Sequence, residues 1–351
     1  MEIFFDRSKI LEIKKNTKIN RIILLNFFLQ FFLILGLMMR PAIASEYQVD
    51  IGWVPGFISE YNNSQTYIAD SSGKIITHFG GRNAAGGGLG TGVQNSPKAD
   101  FQTPSSMLVT WLSFKDGNFW QAKIALPKKE ISKLLDEEIQ GTFVSKPYQK
   151  VRRYDKIIVN VGPEGKVYIF LGGADTKLIG EYQGHKIDIP WETHIENTWS
   201  SSPAQPITKE QYVKRVQESS KNIIKKSEQF NEKIFHPIKW KLNLNQPEKL
   251  IAYTAKMMNG EDQTVLNNFD QITLNSIPKL FIFDVEEGKG KSRYRVTLDS
   301  DIYSFFYENF NSNDLVNFNM NFHSPNEANL YLEQGAKKVE FEKIDIEEMR
   351  M

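Results

Sequence analysis

Residues 107–114 and 119–126 are aromatic-rich apolar runs separated by Lys115-Asp116-Gly117-Asn118. Asp-Gly between two such runs is the strongest short-range signal for a β-hairpin. Along the second run Trp120, Ala122, Ile124 and Leu126 alternate with Gln121 and Lys123, which puts one face of the strand in the core. A helix is expected next, with Pro127 at its first position and Ile131, Leu134, Leu135 and Ile139 at helical spacing. A second hairpin pairs 154–161 with 166–171 across Gly162-Pro163-Glu164-Gly165, whose Pro and Gly suit a turn. In that pairing Ile157, Val159 and Val161 face Val167, Ile169 and Leu171. Residues 177–182 and 185–189 are expected to extend the same sheet.

Over 197–206 the composition turns to Ser, Pro and Gln, which predicts a linker. Thr208 then opens a long polar helix, with Gln211 three residues on completing a capping-box pattern. Tyr212, Val216, Ile223, Phe230 and Ile234 form its narrow apolar stripe. This helix lies on the body of the protein or, alternatively, pairs with a partner as a short coiled coil. Beyond Pro237 strands return: 280–285, then Tyr294, Val296 and Leu298 alternating after the Glu287-Gly288-Lys289-Gly290-Lys291 turn. The cleanest period of two is Val316, Phe318, Met320 and Phe322, interleaved with Asn317, Asn319 and Asn321. Residues 339–346 predict a last strand, and no internal repeat is visible. The fold class is α+β: predominantly antiparallel β-sheets, a long connecting helix and a second, smaller α+β unit.

The first forty-four residues do not belong to that pattern. Lys9, Lys14, Lys15, Lys18 and Arg21 precede an apolar run over 22–39, and Pro41-Ala42-Ile43-Ala44 follows. This is the three-part signature of a secretory signal peptide cut between Ala44 and Ser45. An uncleaved anchor helix is the competing reading, and only then is the protein membrane-bound. The organisation expected is therefore 1–44 signal peptide, 45–200 β-rich domain, 201–236 linker and long amphipathic helix, and 237–351 C-terminal α+β unit.

Charge follows the same division. The 351 residues hold 43 Lys+Arg against 42 Asp+Glu, but residues 45–351 hold 36 against 39, so the slight basicity sits in the leader. No basic excess remains to grip nucleic acid. With no cysteine in the chain, thiol chemistry, disulfides, Cys-ligated metal and a lipid anchor on cysteine are all excluded. A cysteine-free exported chain of this size suits a bacterial periplasm.

Candidate chemistry is sparse. The glycine-rich stretch 80–92 has no phosphate-loop spacing and is expected to be a flexible surface loop. Ser71-Ser72-Gly73-Lys74 contains S-x-x-K without its partner motifs, so it is expected to be a turn. Asn62-Asn63-Ser64 matches a glycosylation sequon. The one enzyme-like patch is His185, Asp188, Glu192, His194 and Glu196, flanked by Trp191 and Trp199; its spacing matches no known metal site. No cofactor is expected.

Trp111-Leu112-Ser113, Phe119-Trp120, Ala125-Leu126-Pro127, Tyr154-Asp155-Lys156-Ile157-Ile158-Val159 and Gly162-Pro163-Glu164-Gly165-Lys166-Val167 occur in that order. Over roughly 48–189 the chain resembles the bacterial domain-of-unknown-function family 2931, exported proteins of Gram-negative bacteria. The resemblance implies an envelope location and transfers no catalytic residue. Many members look like lipoproteins, a feature this cysteine-free chain departs from. The functional expectation is an exported, non-catalytic periplasmic protein that binds another protein, an immunity protein against a secreted toxin being one version. Arg152, Arg153, Trp191 and Trp199 are its candidate interaction residues. The alternatives are an envelope assembly factor and a hydrolase using the His185/His194 region.

Overall fold

Each hairpin of the first 190 residues lies inside a sheet, and the two sheets share one core. The structure is a computed structural model that describes residues 45–82, 88–140, 150–198, 207–225, 232–245, 249–266, 268–287, 290–324 and 327–349. β1 (Ser45–Trp53) belongs to the first sheet; β2 (Ser59–Tyr61), β3 (Tyr67–Ala69), β4 (Ile75–His78) and β5 (Gly81–Arg82) are short strands of the second. β6 (Val93–Gln94) and β7 (Ala99–Phe101) return to the outer edge of β1. β8 (Ser106–Ser113) and β9 (Phe119–Ala125) form the expected hairpin, and Gly117 at its turn has φ 67°, a conformation that favours glycine. α1 (Lys128–Leu135) buries Ile131, Leu134 and Leu135. Ile139, expected on that helix, lies instead in β10 (Glu138–Gln140), paired with β11 (Lys150–Arg152).

β12 (Tyr154–Val161) and β13 (Lys166–Gly173) are the second hairpin, with Ile157 opposite Leu171, Val159 opposite Ile169 and Val161 opposite Val167. β12 also runs parallel to β1, which places both strands inside the sheet. β14 (Thr176–Gln183) extends the sheet as expected. β15 (His185–Ile187) does not: it pairs with β9 in the second sheet. The chain crosses between sheets at Gly184, whose N–H donates to the Gly165 carbonyl at 2.8 Å.

Three helices follow: α2 (Trp191–Thr198), α3 (Lys209–Ser219) and α4 (Lys221–Lys225). The long helix expected from Thr208 is interrupted at Ser220, where φ is −116° and ψ 16°. The Ser219 hydroxyl donates to the Val216 carbonyl at 3.0 Å, competing with the backbone ladder just where the apolar stripe lapses between Val216 and Ile223. Phe230, expected on the same stripe, lies outside the described residues. The result is a mainly β protein with mostly antiparallel sheets.

The second half repeats the strand arrangement of the first. β16 (Ile238–Leu244) runs parallel to β22 (Val316–Ser324), which pairs antiparallel with β23 (Glu327–Gln334), itself antiparallel to β24 (Lys337–Phe341), in the same succession as β1, β12, β13 and β14. β19 (Thr273–Asn275) takes the outer edge of β16, as β6 and β7 take that of β1. β20 (Pro278–Glu287) and β21 (Gly290–Leu298) form the hairpin corresponding to β8 and β9, and α5 (Ile302–Asn309) follows it as α1 follows β9. β17 (Leu250–Met257) flanks β20 as β2 flanks β8, with β18 (Asp262–Val265) beside it. Finally β25 (Ile344–Met349) pairs with β21 as β15 does with β9. The residues expected as one last strand, 339–346, are thus divided between β24 and β25, in different sheets.

Each half has its own hydrophobic core, one spanning residues 47–171 and the other 238–341. A single sheet crosses from one to the other where β14 meets β18 at Thr176 and Asp262. At this seam the Thr264 N–H donates to Asp175 at 2.8 Å and the Leu178 N–H to Glu261 at 2.9 Å. Gly90 (φ 70°) and Gly260 (φ 90°) also meet there, so closely that a Cβ on either would overlap the other segment's backbone. The described part of the glycine-rich stretch is therefore anchored rather than a free loop: the Gly90 N–H donates to Asn160 Oδ1 at 2.9 Å, and Asn160 Nδ2 donates to the Thr91 carbonyl at 2.8 Å. No helix of the described residues is long and apolar enough to cross a membrane.

Candidate functional site

β2 carries a carboxylate into the interior. Its three residues are all buried between β5 and β8, so Glu60 has no exposed surface. Burying a carboxylate is costly without partners. They come from the helices laid over this sheet. Tyr212 of α3 bonds its hydroxyl to Glu60 Oε2, and His194 of α2 brings Nε2 to 3.9 Å from Glu60 Oε1. Asn62, just beyond β2, places Nδ2 3.5 Å from His194 Nδ1.

The helices are held by local chemistry. Thr208 and Gln211 form the reciprocal capping box expected, with Gln211 N–H to Thr208 Oγ1 at 3.3 Å and Thr208 N–H to Gln211 Oε1 at 3.1 Å. Gln217 ties the far end of α3 to the Phe114 carbonyl at 2.6 Å. The Trp191 indole N–H donates to the Ile207 carbonyl at 2.6 Å, joining the start of α2 to the segment before α3. Trp191 stacks on His194 at 5.4 Å between ring centroids, and Phe119 lies 4.9 Å away. Leu112, Phe114, Phe119, Tyr212, Val213 and Val216 make a small core beneath.

Asn62 Oδ1 accepts from the Gln65 N–H at 3.2 Å and from the Ser64 hydroxyl at 3.0 Å. Its amide nitrogen is thereby turned toward His194, which makes Nδ1 the acceptor and puts the imidazole proton on Nε2, facing Glu60. Burial, and secondarily the Lys209 ammonium, hold His194 down at about 4, so the ring is neutral at physiological pH. Lys209 itself sits over the Phe119 ring at 4.7 Å. The set holds a buried carboxylate against a phenol and an imidazole and can lock two helices to a sheet. Glu60, Asn62 and His194 are 0% exposed and Tyr212 is 2% exposed, so no ligand reaches them in this conformation.

The residues singled out in the sequence fare differently. His194 turns inward, whereas His185, Asp188, Glu192 and Glu196 are exposed. Among the described residues no group of three or more His, Cys, Asp or Glu is placed to hold a metal ion. Trp191 is half-buried as the cover of His194, and Trp199 lies outside the described residues. Arg152 is exposed and donates to the Glu46 carbonyl at 3.1 Å. Arg153 pairs with buried Asp175 at 3.1 Å and with Glu137 at 3.6 Å, so it serves the seam. Burial pushes the Asp175 carboxyl up, while the Thr264 contacts and Arg153 pull it down. The sequon is closed to modification because Asn62 is buried. Ser71 to Lys74 is the turn expected, with Asp70 Oδ1 accepting the Ser72 and Lys74 N–H groups at 2.8 and 3.1 Å.

Sequence reasoning missed Glu60, took Asn62 only as part of a glycosylation sequon and took Tyr212 only as an apolar-stripe residue. One available signal was a lone carboxylate within the apolar run Phe57-Ile58-Ser59-Glu60-Tyr61. The surface holds a second feature that periodicity did not reveal. Ile272 and Leu274, at the outer margin of the second half, are 59% and 65% exposed.

These features define a mainly β protein with a repeated strand arrangement and an acid–base cluster sealed under two helices of its first half. The chain belongs to the family of proteins of unknown function DUF2931, which matches residues 43–229 and so takes in the first core, α2 and α3. The match reaches some forty residues beyond the 189 expected, far enough to include His194 and Tyr212. No curated protein and no solved structure matches the chain.

Proposed function

We propose that this is an exported, non-catalytic protein of the bacterial periplasm that binds another protein, with immunity against a secreted toxin as its most specific version. One observation carries the reading. Ile272 and Leu274 are more than half exposed on and beside an edge strand, where large apolar side chains have no folding role and suit a partner. The sealing of Glu60 and His194 argues the same way, since a catalytic pair needs access to its substrate. The basic lead, apolar run and Ala-Ile-Ala site supply the export part of the reading.

Two measurements test it. N-terminal mass spectrometry of periplasmic material is expected to find Ser45 first; an intact Met1 in the membrane fraction would favour the anchor. Affinity purification of the tagged chain is expected to recover a stoichiometric protein partner that is lost with Ile272→Glu/Leu274→Glu. A hydrolase is the second reading, favoured by the Glu60–His194 pair. It requires α2 to lift, and a hydrolytic activity abolished by His194→Gln would replace the binding reading with it.

A further inference from the structure

The repeated halves differ at one edge. In the first half the outer edge of β1 is covered at both ends: β7 pairs with it from Ser45 to Tyr47, and β6 at Asp50 and Ile51. In the second half β19 covers only the first three residues of β16, Ile238, Lys239 and Trp240. Among the described residues, no strand pairs with 241–244 on that side. Alternate backbone N–H and C=O groups of a strand point to each neighbour, so this stretch presents ladder groups along an edge that no described strand covers, with Phe269 and Asp270 of the same chain nearby. Beside it lies a cavity of about 90 Å³, lined by the apolar Leu242, Leu244, Leu250, Tyr253 and Phe269 and by the polar Asn243 and Asp270. The carboxylate of Asp270 is 89% exposed and pairs with Lys241 at 3.1 Å.

We propose that the outer edge of β16 over residues 241–244 receives an extended segment of a partner protein, added antiparallel as a further strand with one aliphatic side chain in the cavity. The proposal rests on the protein-binding reading above and names the form its partner takes. The first half is the template: β6 shows that the place is shaped for an antiparallel strand, and in the second half no described strand fills the corresponding place. Main-chain bonds supply affinity in such strand addition, and the pockets for alternate side chains supply specificity. β24, the other edge of this sheet, carries Lys337, Lys338 and Glu340. The β16 margin carries Lys239 and Lys241, the latter paired with Asp270, and beside them the exposed Ile272 and Leu274.

The test uses the mature chain and random peptides displayed on phage. Enriched sequences are expected to have apolar residues at alternate positions. N-methylation of every second peptide amide should weaken binding by about tenfold or more, and N-methylation of the intervening amides should not. Amide exchange at 241–245 should slow in the complex, and Leu244→Glu should abolish binding. Because that variant could disturb folding, the N-methylation pattern on the wild-type chain decides independently. The proposal falls if no sequence is enriched over an unrelated protein, if binding ignores N-methylation, or if protection maps elsewhere. A dimer in sedimentation that Leu244→Glu dissolves would also overturn it, assigning the edge to a second copy. If a partner lost with Ile272→Glu/Leu274→Glu leaves exchange at 241–245 unchanged, protein binding stands and strand addition fails. If peptides dock with the alternating pattern while no such partner exists, strand addition stands without that reading.

Discussion

Tyr212 and His194 belong to helices, yet their polar atoms serve a strand. The Tyr212 hydroxyl is a donor that helps make burial of Glu60 tolerable, and Tyr212→Phe deletes it while keeping the ring against Phe114, 5.6 Å away. Leaving a buried acceptor without that donor costs about 1–3 kcal/mol, which should appear as a lower urea midpoint at unchanged slope. His194 makes stability depend on pH. Its folded value is down at about 4 against an ordinary 6.5, so the unfolded chain takes up the proton first as pH falls. The stabilisation is complete above about pH 6.5 and is lost progressively down to about pH 4, to a limit of about 3 kcal/mol. Urea titrations at pH 7.5 and 4.5 should show His194→Gln losing less stability on acidification than the wild type. An equal loss in both proteins would mean that His194 is not the group that titrates.

Among elements, those with local signals formed where their residues called for them. The Asp116-Gly117 and Pro163-Gly165 hairpins and the Thr208 capping box each depend on contacts a few residues apart. β15 and the glycine-rich stretch depend on distant ones. β15 is too short and too exposed to choose a sheet by pattern, and its place follows from the crossing at Gly184. Gly90 is held by Asn160 and by the backbone around Gly260. Gly90→Ala combines an unfavourable positive φ with overlap on the Gly260 carbonyl, so a loss of about 2 kcal/mol or more is expected. Thermal unfolding would show it, together with faster amide exchange at 260–265; an unchanged melting temperature would mean that the seam yields freely.

Across the whole molecule the seam decides whether the two cores behave as one. Among the described residues it is narrow: one strand pair at Thr176 and Asp262, the Thr264 N–H on Asp175, the Leu178 N–H on Glu261, and the meeting of the glycines. Asp175→Ala takes the acceptor from the Thr264 N–H and the partner from Arg153, at a cost of about 2–3 kcal/mol. Calorimetry is expected to show the unfolding transition of the wild type broadening or dividing in the variant, as each core unfolds by itself. A single sharp transition at the wild-type temperature would place the coupling elsewhere.

The sequence by itself determined strands, turns, the helix start at Thr208 and the family, because alternation, Asp-Gly turns and a capping box are written in neighbouring residues. Tertiary structure decided which sheet each strand joined, the parallel pairs β1–β12 and β16–β22, and the repetition of one arrangement in two halves. No repeat is visible in the sequence, since a core accepts many apolar sidechains of suitable volume. The same reason hid the Glu60–His194 pair. Its members stand 134 positions apart, and only the packing of α2 and α3 on β2 brings a carboxylate, an imidazole and a phenol together in a place water does not reach.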